Sequence, residues 1–130
     1  MTNTFAGIDW EVSLPENWQG QQDDECSTLF HPNGVGVLQI SSAQKEGLVS
    51  HEDLLDFAEE HVEAGAKIKE ASFVDLKGFT FQYQLDDSYW IQWFLRFESI
   101  ALFITYNCSI EDQGIEDSEI ESILTTIRVK

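Results

Sequence analysis

The sequence predicts an α+β fold: an antiparallel β-sheet of about six to seven strands, with a mid-chain helix and a C-terminal helix packed on it. Two observations carry this reading. Residues 78–107 alternate large apolar and polar side chains at the two-residue period of half-buried strands, in three runs joined by short turns. Residues 50–65 and 117–127 instead place apolar residues three and four apart, each stretch opening on a serine suited to cap a helix. A chain of 130 residues that is 42% hydrophobic fits a single domain, 1–130, with a real core.

The elements follow in order. Ile8, Trp10, Val12 and Leu14 alternate with Asp9, Glu11 and Ser13, which predicts a first strand; Pro15 ends it, and Trp18 lies three residues on. Residues 19–25 are polar, acidic towards their end and without period, and read as a loop. Cys26–Phe30 and Val35–Ile40 form a hairpin across His31-Pro32-Asn33-Gly34, where proline fixes φ and glycine accepts a positive one. Ser50 caps a helix to Gly65, with Asp53 at the capping-box position. Leu54, Leu55, Ala58 and Val62 make its apolar stripe, Phe57 lies beside it, and Glu52, Asp56, Glu59, Glu60 and Glu63 face outward. Ala71–Leu76 is a short strand. The final helix covers about Asp117–Ile127, with Ser118 and Glu121 as a second capping box and Ile120, Ile123, Leu124 and Ile127 on one face.

Register organises the aromatic block. A two-residue turn at Glu98-Ser99 sets Phe97 opposite Ile100, Leu95 opposite Leu102, Trp93 opposite Ile104 and Ile91 opposite Tyr106. A three-residue turn at Asp86-Asp87-Ser88 sets Leu85 opposite Tyr89, Tyr83 opposite Ile91, Phe81 opposite Trp93 and Phe79 opposite Leu95. That side is core and needs a helix over it. The other side carries Trp90, Phe94 and Phe103 among Gln82, Gln84, Gln92, Arg96, Ala101 and Thr105. Either a helix or loop covers those rings, or they form an apolar patch with a polar rim, as interaction surfaces do. The candidate partner-binding residues are therefore Trp90, Phe94 and Phe103, rimmed by Gln82, Gln92 and Arg96.

Charge and composition exclude several classes. Twenty-four acidic residues against seven basic ones give a net charge of −17, which disfavours nucleic acid and anionic membranes and favours a basic protein partner through steering. His31, His51 and His61 are scattered without zinc-site spacing, so no metal is expected; no phosphate-binding glycine loop or nucleophile motif occurs, so neither a cofactor nor an enzymatic activity is expected. A Cys–His dyad of His31 with Cys26 or Cys108 has nothing to orient it. The two cysteines read as half-buried thiols; a disulfide requires their strands to be neighbours. No basic-then-apolar leader opens the sequence, which predicts a cytoplasmic protein, although an exported chain with its signal removed would look the same.

The strand running into Leu14-Pro15-Glu16-Asn17-Trp18, the Ser50-capped helix with Leu54-Leu55, the long-stranded meander and the closing Ile123-Leu124-Thr125-Thr126-Ile127-Arg128-Val129 together resemble the PsbP/Mog-like fold superfamily. That group includes DcrB-like bacterial lipoproteins and the small chaperones that load type VI secretion effectors. The resemblance implies a helix-packed antiparallel sheet and a non-enzymatic binding or assembly role, a homodimer in the chaperone form. The chain lacks the lipoproteins' lipobox, and no functional residue carries over. Two readings of function follow. One is an adaptor or chaperone-like domain that buries apolar partner surface on its aromatic sheet face. The other is an acidic immunity-type protein that neutralises a basic toxin through Asp23-Asp24-Glu25 or the acidic helix face.

Overall fold

The computed structural model describes residues 3–24 and 26–130. It is an α+β fold with ten strands in two antiparallel sheets. The strands are β1 (Asn3–Ala6), β2 (Trp10–Leu14), β3 (Gln19–Gln22), β4 (Ser27–Phe30), β5 (Gly36–Gln44), β6 (Lys69–Ser72), β7 (Lys77–Leu85), β8 (Ser88–Phe97), β9 (Ile100–Ser109) and β10 (Arg128–Val129). The helices are α1 (His51–Phe57), α2 (Glu59–Glu63) and α3 (Asp117–Leu124). Seven strands form one sheet in the order β3-β4-β5-β9-β8-β7-β6, and β2 pairs with both β1 and β10 in a second, small sheet. Among the described residues no helix is long and apolar enough to cross a membrane.

The seven-stranded sheet has two apolar faces, each with its own cover. On one face Leu29, Leu38, Ile40, Ile91, Trp93, Leu95, Leu102, Ile104 and Tyr106 pack with Trp10, Val12 and Leu14 of the small sheet and with Ile120, Ile123, Leu124 and Ile127 of α3 and its exit. On the other, Val49, Leu54 and Ala58 pack on Phe79, Phe81, Phe94 and Ala101. The C-terminal helix thus covers the face expected to be core, and the mid-chain helix covers part of the opposite one.

Local chemistry explains the elements. Ser50 caps α1: its hydroxyl accepts from the Asp53 amide at 3.1 Å, and the Asp53 carboxylate accepts from the Ser50 amide at 2.8 Å. The expected helix is divided at Ala58, and Gly65 follows it at φ 91°, a left-handed position that suits glycine. The Leu14–Trp18 segment turns through a Trp18 amide bond to the Pro15 carbonyl at 3.1 Å, with Asn17 at φ 72°, and Trp18 is buried in the core.

Several expectations need correction, among them the Ala71–Leu76 strand, which lies instead at Lys69–Ser72 with a turn over Phe73–Leu76. Residues 19–22 are not loop but edge strand β3, hidden from a hydrophobic pattern because Gln-Gly-Gln-Gln offers none. The strand expected from Ile8 begins at Trp10 as β2, with Ile8 exposed, and an unforeseen strand β1 at Asn3–Ala6 precedes it. The Ser118 capping box does not form: α3 is capped two residues earlier, on Glu116, without a side-chain cap bond. The β7–β8 connection is a two-residue turn at Asp86-Asp87, with Leu85 opposite Ser88. That one-residue difference turns Phe79, Phe81 and Tyr83 over to the other face, since strand side chains alternate. The β8–β9 register is as the alternation predicts, with Phe97 opposite Ile100 and Phe94 opposite Phe103. Cys26 and Cys108 are both free thiols.

Candidate functional site: the open half of the large sheet

The face bearing α1 and α2 can be written out from the strand pairings. Across β7, β8, β9 and β5 it carries Tyr83 opposite Trp90, Trp90 opposite Asn107 and Asn107 opposite Val37. One step along lie Phe81, Gln92, Thr105 and Gln39; the next row is Phe79, Phe94, Phe103 and Ser41. Thr28 on β4 continues the Gln39 row, and Gln21 on β3 continues it to the edge.

The helical cover stops partway across. Leu54 and Ala58 seal Phe79, Phe81 and Phe94, and Phe57 reaches over the flank to meet the Phe103 ring edge-on at 4.8 Å. Beyond that point Val37, Gln39, Ser41, Thr105, Asn107, Gln92 and Trp90 are only half-buried. None of these residues is charged, in a chain where 24% of residues are. Rings in a patch without charge are what the centre of a protein interface carries.

The candidate residues separate on this surface. Trp90 and Phe103 are half-buried and border the open area. Trp90 stacks parallel on Tyr83 with ring centres 6.1 Å apart, its indole N–H closed off from solvent and without an acceptor among the described residues. Gln92 donates to the Tyr83 hydroxyl at 2.7 Å. Phe94 is 7% exposed, under the helices, because Leu54 and Ala58 need an apolar floor. Gln82 pairs with Ile91, so the corrected register puts it on the opposite face, away from the rings. Arg96 is half-buried at the far end of the row, where a terminal guanidinium nitrogen approaches the Val49 carbonyl at 3.5 Å. Phe57, Tyr83, Gln39 and Ser41 join the site without having been foreseen. The placement of β5 beside β9 brings in two of them, and no local pattern announces a long-range pairing.

The open area deepens at one end into a cleft of about 330 Å³ between β5, β9 and α1, lined by Ala43, Val49, Phe57 and Ala101 on its apolar side and by Lys45, Asp53 and Asp56 at its rim. Lys45 binds Asp53 at 2.8 Å and, with the Ser50 amide, holds that carboxyl below the ordinary aspartate range. A separate cleft of about 440 Å³ lies at the Pro15–Trp18 turn, lined by Glu16, Trp18 and His31 but not by Cys108. Cys108 is buried on β9, and burial raises its thiol pKa. Among the described residues no group of three or more histidine, cysteine, aspartate or glutamate side chains could hold a metal ion.

No family model and no curated protein matches the chain. Solved structures do share its fold. LpqN of Mycobacterium tuberculosis, described as involved in cell envelope biogenesis, superposes with a TM-score of 0.67 at 9% identity over 100% of this chain and 91% of its own. A protein of Bacteroides thetaiotaomicron superposes with a TM-score of 0.66 at 13% identity over 93% of this chain, which spans 45% of that protein's length. At these identities the likeness is one of fold: a helix-packed antiparallel sheet common to bacterial proteins of otherwise different sequence.

Proposed function

We propose that the protein is a non-enzymatic, adaptor or chaperone-like domain that binds another protein on the open half of its large sheet. One observation carries the reading: a charge-free, ring-bearing sheet face left half-covered in a domain of net charge −17. A partner's apolar segment would lie beside α1, over Ser41, Thr105 and Gln39, with Phe57, Phe103 and Trp90 as anchors. The fold shared with LpqN supports membership of the PsbP/Mog-like superfamily, in which binding and assembly roles occur. It also makes an envelope-associated role the competitor to the cytoplasmic one we favour. A homodimer through this face belongs to the same reading.

The test introduces charge without touching the core. Thr105→Arg and Gln39→Arg are compared with wild type for retained partners at low and high salt, and for self-association by sedimentation. A partner or second copy held at high salt by wild type and lost from both variants supports the sheet face. A partner held only at low salt, equally by all three proteins, transfers the site to the acidic surface and to the immunity-type reading. That second reading draws on one fact: Lys45–Asp53 is the sole ion pair among the described residues, so nearly all the carboxylates are available to a cationic partner.

A further inference from the structure

On the opposite flank of α1, at the β6 edge of the large sheet, the chain does something costly with two of its seven basic residues. Lys77 on β7 and Arg96 on β8 stand directly opposite each other, on the same face. Like charges in that position repel. Among the described residues neither has a carboxylate within ion-pair distance, although the chain holds 24 acidic residues. The Arg96 Nε–H is closed off from solvent and has no acceptor among the described residues. Both line a pocket of about 420 Å³ with His51, Ser72, Gly78 and Glu70. That volume lies within the range of small-molecule sites. Glu70 is the one acid on the wall, so two fixed positive charges face one negative.

We propose that this pocket is a binding site for a small molecule bearing an oxyanion, carboxylate or phosphate. The arginine fork and the lysine ammonium across from it supply charge-assisted hydrogen bonds to such a group. Ser72 offers a hydroxyl and His51 a ring nitrogen from the helix side. The bound anion relieves the Lys77–Arg96 repulsion. The site is independent of the open sheet half, which lies on the other flank of the helix.

Nitrogen-15 NMR reads the proposal directly. The labelled protein is titrated with inorganic phosphate in one arm and succinate in another, against sodium chloride at matched ionic strength. Saturable shifts of the Arg96 Nε–H and of the Ser72, Lys77 and Gly78 amides are expected in at least one arm, and the arm with tighter binding identifies the oxyanion. Lys77→Gln, at an exposed position, should weaken binding about 10-fold or more. Glu70→Gln should tighten it. Lys77→Glu should abolish binding while raising the melting temperature, because it turns the repulsion with Arg96 into attraction. Shifts that match the chloride control, or saturable shifts indifferent to Lys77→Gln, would overturn the site. So would a melting temperature lowered by Lys77→Glu.

Discussion

Tyr106 donates its hydroxyl hydrogen to Glu116 at 2.8 Å, and the carboxyl group is 3% exposed. Burial, reinforced by that bond, holds the phenol pKa far above its ordinary value. Tyr106→Phe removes the donor and leaves a buried acceptor alone, at an expected cost of about 1–3 kcal/mol in chemical denaturation. The pH dependence has a definite sign. A folded-state pKa raised above the unfolded one means stability is complete below about pH 10 and is lost as pH rises beyond it. Melting temperatures should therefore fall above about pH 10, and less steeply in Tyr106→Phe; Tyr89, also raised by burial, retains part of the slope. Glu98 tests the opposite kind of residue. It opens the β8–β9 turn at φ 53°, a conformation that costs a side chain and not a glycine. Glu98→Gly should stabilise the fold by about 0.5–1 kcal/mol.

Among the elements, the two hairpins of the meander show what a sequence can and cannot reveal. The β8–β9 register is legible because Glu98-Ser99 admits only a two-residue turn between two strongly alternating runs. At β7–β8 the three polar residues Asp86-Asp87-Ser88 permit two turn lengths, and both leave rings opposite large residues. The decision falls to Gly78, which sits where the Phe94 carbonyl comes too close for any side chain. Gly78→Val should cost about 2–4 kcal/mol or prevent folding, read by denaturant titration. Strand β3 was illegible for a different reason: an edge strand of glutamines is held by backbone bonds to β4, not by a hydrophobic pattern. The α1 cap was legible, and Ser50→Ala should cost about 1 kcal/mol in the same assay.

Across the whole molecule, charge sets the behaviour. A net charge of −17 with one ion pair among the described residues makes the folded state repel itself. The melting temperature should rise as sodium chloride is added from about 10 to 300 mM, since screening length falls through the size of the domain over that range. A flat or falling curve would mean that the carboxylates are too dispersed to matter. The existence of a sparsely charged aromatic face was readable from alternation alone. Its extent was not, because it depends on β5 lying beside β9 and on α1 and α2 stopping short of the far strands. The Lys77–Arg96 pocket was hidden by the same one-residue slip that misplaced Phe79 and Phe81.

Strand β2 has one neighbour from each end of the described chain: residues 3–6 on one side and residues 128–129 on the other. During synthesis Trp10, Val12 and Leu14 leave the ribosome well before α3 and β10, which close over them. The nascent protein must carry those side chains without their final cover until residue 129 has emerged from the ribosome. A ribosome stalled before that point would display a chain whose large sheet can pair but whose small sheet cannot close. Limited proteolysis of stalled chains should then cut within residues 3–14 until residues 128–129 have emerged.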